Sequence, residues 1–509
     1  MVRTGKHFSD KNHIIELMAK NDAGGGYGMK DNSGFRFFRE DLCDRCGICF
    51  ERCPVLELAE DEAKQEIQAL IRGDTGASLV LQRCVTCNIC DLVCPQHAHP
   101  YGLILECYNE AGKVQGLPHM AKFIFPNEPE NMWTTARVLM GGDELSLLRS
   151  WEDNLKNPRK EVLLTGFYNN LVPYITQTSL LDELKPAIAG SDSMFGMGED
   201  AYRIGFLEEA ERLGNLAKQK FSEMGVEKLY CFMVVEASMF TDVLPKRFGI
   251  EFDFDVELLD NWILDRLKSG KIAVSDGLNI KATVHDNCCG RYMDGILPDT
   301  TREIMQRIGC EVVEMRHTRE NALCCGWAGT VPTLFGPTSG NPLHTLLNLL
   351  QSLYLRWQEA EATGADVLVV PCPGCYVFLS LIKVLTNSRL DVYLPLELVQ
   401  MAAGETPVHK NEERAWDILA VTTNLVLRWA FSPKRFFPKP VEIAKPLPEA
   451  RRGDAARIRL LGMLYHSFLV QNHVTRSLIA FAVKNLIAGY RAYLERKKRK
   501  MIGTRANAT

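Results

Sequence analysis

Eight cysteines near the amino end fall into two identical runs: Cys43, Cys46, Cys49 and Cys53-Pro54, then Cys84, Cys87, Cys90 and Cys94-Pro95. Each reads C-x-x-C-x-x-C-x-x-x-C-P. The short spacing lets three thiolates from one loop reach one inorganic centre. The proline after the fourth cysteine turns the chain away and opens the next helix. Thiolate sets suit zinc as well as iron–sulfur clusters. The doubled run with both prolines favours two [4Fe–4S] cubanes, in which the fourth cysteine of each run serves the other cluster. One cubane then takes Cys43, Cys46, Cys49 and Cys94, and the other takes Cys84, Cys87, Cys90 and Cys53.

At 509 residues the chain has room for about three domains. A hydrophobic share of 46% and a charged share of 24% are ordinary for a soluble globular protein. The net charge of -4 argues against nucleic acid as a partner. The polar start M-V-R-T-G-K-H lacks the apolar core of a secretory signal. No apolar run is long enough to span a bilayer, so the expected compartment is the cytoplasm. There the thiol pool is kept reduced, and 17 clustered cysteines point to metal rather than to disulfides.

Residues 1–34, with G-G-G-Y-G at 24–28, read as an irregular lead-in. Between the cysteine runs Leu58, Ala63, Ile67, Leu70 and Ile71 recur at helical spacing, so a helical dicluster module is expected over 35–115. Cys107, on the helix that leaves the second run, reads as packing. Residues 116–160 form a connector with a turn-rich boundary at F-P-N-E-P-E-N, 125–131.

From 161 short apolar runs alternate with longer helical segments. This implies α/β layering with buried strands. Two units are expected, 161–275 and 276–403. The second carries V-H-D-N-C-C-G-R at 284–291, A-L-C-C-G-W at 322–327 and V-V-P-C-P-G-C-Y at 369–376. The five thiols Cys288, Cys324, Cys325, Cys372 and Cys375 could converge on one iron–sulfur site. Gly326 and Gly374 supply the sharp turns such a site needs. The first unit reads as the same repeat without thiols: aligned on Gly196 and Gly326, Met194-Phe195 stand where Cys324-Cys325 stand. Cys289 reads as packing or support, and Cys231 and Cys310 as core. Trp327 is placed to cover the site. His285 either fixes its loop by a hydrogen bond or donates a proton to a leaving thiolate. The fold class expected is α+β multidomain: a helical dicluster ferredoxin domain, two repeated α/β domains and a helical tail.

The second repeat resembles the cysteine-rich CCG domain of heterodisulfide reductases, and residues 35–400 resemble their fused iron–sulfur subunits. The dicluster module with two CCG domains is similar to the iron–sulfur subunits of glycolate oxidase and anaerobic glycerol-3-phosphate dehydrogenase. The resemblance implies a non-cubane [4Fe–4S] cluster held by Cys288, Cys324, Cys325, Cys372 and Cys375. It also implies electrons passing through two cubanes to that cluster, where a small or protein disulfide is opened to thiols. The chain departs from the full pattern by having one complete CCG site, which also suits a pure electron relay of a flavin-dependent dehydrogenase feeding quinone. No G-x-G-x-x-G opens a helix after a strand, so a flavoprotein or cytochrome partner is expected to exchange the electrons.

Residues 404–509 lie outside the resemblance. After a linker at 439–448, Ile479, Val483, Leu486, Ile487, Tyr490 and Leu494 form a helical apolar stripe that ends in R-K-K-R-K at 496–500. A helix docked on its own domain or on a partner satisfies this pattern. Basic residues beside an apolar stripe also suit peripheral contact with an anionic membrane.

Overall fold

The computed structural model describes residues 34–506 apart from 77, 155–156, 158, 185–187, 190–197, 276, 293–295, 328–330, 339–341, 430–431 and 443–446. Within these the architecture is a mostly helical, multidomain α/β fold with two parallel sheets. The lead-in read over 1–34 lies, Gly34 excepted, outside the described residues, as do Met194 and Phe195.

The two cysteine runs fold alike because the same backbone turns recur in both. Arg45 (φ 60) and Gly47 (φ 78) flank Cys46 in the left-handed region, and Thr86 (φ 41) and Asn88 (φ 63) flank Cys87 in the same way. Each loop then enters a one-turn helix, Ile48–Glu51 or Ile89–Leu92. At Gly47 a Cβ would lie 2.6 Å from the backbone nitrogen of Lys64, so glycine is needed for space as well as for φ. Lys64 belongs to α1, Glu60–Ile71, which turns Ala63, Ile67 and Leu70 inward at helical spacing. Helix α2, Pro100–Gln115, starts on a proline and closes the module.

Two four-stranded sheets follow. The first comprises β1 Glu161–Leu164, β2 Ile188–Ala189, β3 Lys228–Cys231 and β4 Asp255–Leu258, in the order β2-β1-β3-β4. The second comprises β5 Lys281–Val284, β6 Glu311–Val312, β7 Val367–Val369 and β8 Asp391–Tyr393, in the order β6-β5-β7-β8. All these pairings are parallel, and the two orders are the same permutation. The registers correspond too: Leu164 pairs with Cys231, and Val284 with Val369. In the first sheet the helices α3, Glu199–Arg203, and α4, Leu207–Met224, precede β3, and α5, Val234–Ser238, follows it. In the second, α6, Pro342–Ala362, precedes β7, and α7, Pro373–Thr386, follows it. The halves face each other reciprocally: α5 packs on Cys289–Tyr292, and α7 packs on Tyr168–Leu171.

Gly326 (φ 95) runs against α6, where a Cβ would lie 2.9 Å from the Leu353 nitrogen. The described residue that reproduces this is Gly198 (φ 84), pressed on Ala210 of α4 at 2.8 Å. Gly196, on which the alignment with Gly326 rests, lies outside the described residues. Gly374 corrects an expectation. It lies in the first turn of α7 and is not among the residues of positive φ. Its missing side chain leaves room for the Tyr168 ring, which a Cβ would approach to 2.9 Å.

The hydrophobic cores do not stop at the sheets. One runs from Val85 through both sheets to Ile458, and the other joins the dicluster module to Tyr202, Leu207 and Leu244. Cys231 lies in the first, Cys107 in the second, and Cys310 in the first. The tail returns to the body: Arg435–Phe436 pairs antiparallel with Leu117–Pro118. Helix Asn411–Trp429 lies on α7 and carries α8, Arg452–Tyr465; a single turn, α9 Phe468–Gln471, leads to α10, His473–Ala506, which docks on α7 and α6. Ala480, Ile487 and Tyr490 of α10 are buried, whereas Leu486 of the expected stripe is half exposed.

Candidate iron–sulfur and redox site

The amino-terminal thiols group across the two runs. Cys43, Cys46 and Cys49 sit in one electrostatic neighbourhood with Cys94. Cys84 and Cys87 share one with Cys53, and Cys90 adjoins them. Burial pushes the Cys53 thiol up to about 12 and raises Cys43, Cys46, Cys49, Cys84, Cys90 and Cys94 as well. Such thiols stay protonated until a metal displaces the proton. Backbone N–H groups already point at sulfur: Thr86 N donates to Cys84 Sγ at 3.3 Å and Ala98 N to Cys94 Sγ at 3.4 Å.

The second site grows from the end of β5. His285 N donates to the Val369 carbonyl at 2.8 Å, which extends the ladder by one residue. The Asp286 carboxylate then accepts from two nitrogens of Arg302 at 2.7 and 2.9 Å and from Arg319 N at 2.6 Å. Burial raises the Asp286 carboxyl, but the guanidinium outweighs it and holds the group below its ordinary range. This clamp ties the loop of Cys288 to the loop of Cys324.

Six thiols form a continuous string. Cys289 and Cys288 lie 3.9 Å apart; Cys288 then meets Cys324, Cys324 meets Cys325, Cys325 meets Cys375, and Cys375 meets Cys372. All are buried save Cys372, which is half-buried. Cys289, which spacing alone assigns to packing or support, is in the string. The donor set is soft sulfur throughout, and this fits an iron–sulfur cluster. Cys288 and Cys325 are held well below the ordinary thiol range, because each accepts S–H bonds from two neighbours. Arg203 adds to this at Cys288, and His285 at Cys325.

His285 is fully buried, and burial lowers its imidazole. Arg356 Nε donates to its Nδ1 at 2.9 Å. An arginine has no lone pair to offer, so the neutral ring carries its proton on Nε2. The His285, Cys325 and Cys375 ligand atoms lie within 4.8 Å of one another. The Nε2–H is buried beside Cys325 and Cys375 without a hydrogen bond of ordinary length, and in this tautomer Nε2 has no lone pair for iron.

The other wall comes from the first repeat. Tyr168, Glu199, Asp200, Arg203 and Met233 share a small cavity of about 30 Å³ with Cys288, Cys325, Cys372 and Cys375. Trp327 stacks on Phe378 at 3.8 Å and donates from Nε1 to the Tyr168 hydroxyl, so it roofs the sulfurs. Met233 caps α5 as Cys372 caps α7, and Glu236 stands in α5 where Cys375 stands in α7. Burial pushes the Glu236 carboxyl up to about 8. Arg203 links the two metal-binding regions: Nη2 donates to Cys289 Sγ at 3.0 Å, and Nη1 donates to the Thr86 carbonyl at 2.7 Å. Motif reading missed Arg203 and Tyr168, because the repeat that carries them has no thiol to mark it.

A larger cleft of about 760 Å³ reaches Cys324. Its lining includes Cys87 of the dicluster module, Arg316 and Gln351 beside the CCG loop, and Arg491 and Leu494 of α10. A molecule of drug-like size fits such a volume.

Comparison with known proteins agrees with this geometry. Residues 42–99 match the model of the 4Fe-4S dicluster domain, and 282–380 match that of the cysteine-rich CCG domain. The chain is 24% identical to a subunit of the dihydromethanophenazine:CoB–CoM heterodisulfide reductase of Methanosarcina mazei, over 68% of this chain and 90% of that one. It is 22% identical to a probable membrane-anchored ferredoxin of Chromohalobacter salexigens, over 72% of this chain and 60% of that one. It is 24% identical to the EtfAB:quinone oxidoreductase of Syntrophomonas wolfei, over 57% of this chain and 48% of that one. The match thus spans roughly half the length of these last two relatives.

Proposed function

We propose that the chain is an iron–sulfur electron-transfer oxidoreductase subunit of the heterodisulfide reductase type, and that it reduces or forms a disulfide at the Cys288–Cys375 site. The observation that carries this is the string of six thiols, five of them buried, beside an open cleft that reaches Cys324. Two cubanes, on the two sets Cys43, Cys46, Cys49, Cys94 and Cys84, Cys87, Cys90, Cys53, and a third, non-cubane cluster on Cys288, Cys324, Cys325, Cys372 and Cys375 would supply one-electron transfer.

The overall reaction is RSSR′ + 2e⁻ + 2H⁺ → RSH + R′SH, with the electrons drawn from a flavoprotein or cytochrome partner. The residues of the chain hold, orient and exclude. The Asp286–Arg302 clamp fixes the Cys288 loop. Trp327 and Tyr168 keep water from the sulfurs on the inner side. The N–H of His285 faces Cys325 and favours its ionised form. Substrate enters from the cleft at Cys324.

A second reading is favoured by the first repeat, which offers Tyr168, Met233 and Glu199 where a second thiol set would face the first. On that reading the protein is an electron relay of a flavin-dependent dehydrogenase that feeds quinone. The two are separated by adding a small thiol to the oxidised protein under anaerobic conditions. A new paramagnetic signal that Cys324→Ser abolishes supports the disulfide reaction. An unchanged spectrum with every thiol and disulfide tried leaves the relay. An anaerobic assay should return about 12 iron atoms per chain, from three four-iron clusters.

A further inference from the structure

Helices α8 and α10 each carry two apolar stripes, and the body of the protein covers only one of them. On α8, Ala455, Ile458 and Gly462 are buried on the side that packs on helix Asn411–Trp429 and on Leu139. Leu460 and Met463, on the opposite side, are 67% and 73% exposed. On α10, Ala480, Ile487 and Tyr490 face α7 and α6, while Leu478 and Phe481, on the far side, are 63% and 70% exposed. The turn that joins them, α9, presents Phe468 at 82% and Leu469 at 71%. The supporting helices pack on each other, and α9 packs on both α8 and α10, so the exposed apolar side chains lie on adjoining elements. A helix apolar on both sides is normally buried on both sides, and an exposed apolar patch of this extent marks an interaction surface.

The charge around that surface selects the occupant. Residues 451–506 contain thirteen lysines and arginines and two acidic residues, although the whole chain has a net charge of -4. Of the two acids, Asp454 is buried and bound by Arg428 and Arg457. Arg459, Lys484 and Arg496 are exposed. No helix among the described residues is long and apolar enough to cross a membrane. Apolar side chains on two helices joined by a turn, in a segment rich in cations and free of exposed acid save Glu495, match an anionic lipid surface.

We infer that α8, α9 and α10 dock the protein on an anionic membrane surface. Phe468, Leu469 and Phe481 enter the headgroup boundary, and the basic residues sit at the phosphates. The inference stands apart from the reaction proposed above, since it uses no cysteine. It has one consequence for that site: Arg491 and Leu494 of α10 line the cleft, so the cleft opens next to the docked helix.

The test is flotation of the full-length protein with vesicles of phosphatidylcholine alone and with about one third phosphatidylglycerol added. Binding to the anionic vesicles is expected to exceed binding to the neutral ones at least tenfold and to weaken as salt rises. The double variant Phe468→Asp, Phe481→Asp should lose at least tenfold in binding while iron content and circular dichroism stay unchanged. A second variant, Arg459→Gln with Lys484→Gln and Arg496→Gln, leaves the apolar surface intact and should lose binding to anionic vesicles alone. Absence of binding to anionic vesicles, or binding that neither variant reduces, overturns the inference. A dimer in sedimentation that Phe468→Asp dissociates, without vesicle binding, assigns the surface to a second copy and overturns it as well.

Discussion

Arg203 and Cys289 meet across the interface between the two repeats, with guanidinium Nη2 3.0 Å from the thiol sulfur. The same guanidinium holds Thr86, in the loop between Cys84 and Cys87, and is paired with Glu199. Arg203 and Glu199 are both buried. A fixed cation from the first repeat therefore stands between the loop of Cys84 and Cys87 and the CCG thiols.

Removing that cation should act on stability and on redox behaviour separately. Arg203→Met strands Glu199, and breaking a buried pair costs about 3 kcal/mol or more. Arg203→Lys keeps the charge and should recover most of the redox effect while losing the Thr86 contact. A cation stabilises the more negative, reduced state of a neighbouring centre. We expect Arg203→Met to lower the midpoint of the CCG centre by about 60 mV, a tenfold change for one electron, with little effect on the distal cubane. A paramagnetic redox titration of the three proteins reads this, and equal midpoints would leave Arg203 a purely structural residue.

The exchange of fourth cysteines predicts which cluster each substitution removes. Cys94 lies with Cys43, Cys46 and Cys49, so Cys94→Ala and Cys43→Ala should each lose the same cubane. The double variant should lose no more iron than either single, about four atoms per chain. Cys94→Ala together with Cys84→Ala should lose about eight. Iron counts with the order reversed would return each fourth cysteine to its own run.

Gly326 and Gly374 make a matched pair with different physics. Gly326→Ala places a side chain at φ 95 and 2.9 Å from the Leu353 nitrogen. Neither the backbone of α6 nor the left-handed turn can yield, so a loss of about 2 kcal/mol and of CCG-site iron is expected. Gly374→Ala meets only the Tyr168 ring, a side chain that can shift. Its cost should fall well below that of Gly326→Ala. Thermal melts with iron assay compare the wild type with the two variants.

The cysteine-bearing half of this molecule is written in its spacing, because three sulfurs can approach one point only from a short loop. The thiols are therefore legible at Cys43 to Cys94 and at Cys288 to Cys375. The repeat is legible too, since alternating strands and helices survive the loss of the thiols. The positive φ of Gly198 and its approach to Ala210 are not legible, because nothing in the spacing marks that glycine as the one pressed on a helix. Cys289 and Arg203 are illegible for another reason. Their role comes from contact across repeats nearly ninety positions apart, and no local spacing encodes it. The tail is legible in part. The inner stripe of α10 has helical period, but Leu486 belongs to the outer side, and the matching exposed stripe on α8 appears only once its support is known.

His409 gives the fold a pH dependence that can be read without any metal. Its Nδ1 lies 2.8 Å from Glu397 and its Nε2 3.3 Å from Asp391, and the ring stacks on Tyr393 at 4.1 Å. Burial lowers the imidazole, but the two carboxylates outweigh it and bring the group up to about 9. In the unfolded chain the same imidazole titrates near 6.5. The folded state thus binds the proton more tightly. The stabilisation is complete below about pH 6.5, declines as pH rises, and is gone once pH passes about 9. Its size should be on the order of 2 kcal/mol after allowance for the shared carboxylates. Asp391 sets the opposite limb: Lys383 and His409 hold its carboxyl below its usual range, so its contribution is lost as pH falls into the acid. Urea unfolding at pH 6 and pH 9 measures the alkaline limb. The wild type should lose stability between the two, and His409→Gln should flatten that slope. An equal slope in both proteins would assign the alkaline loss to other groups.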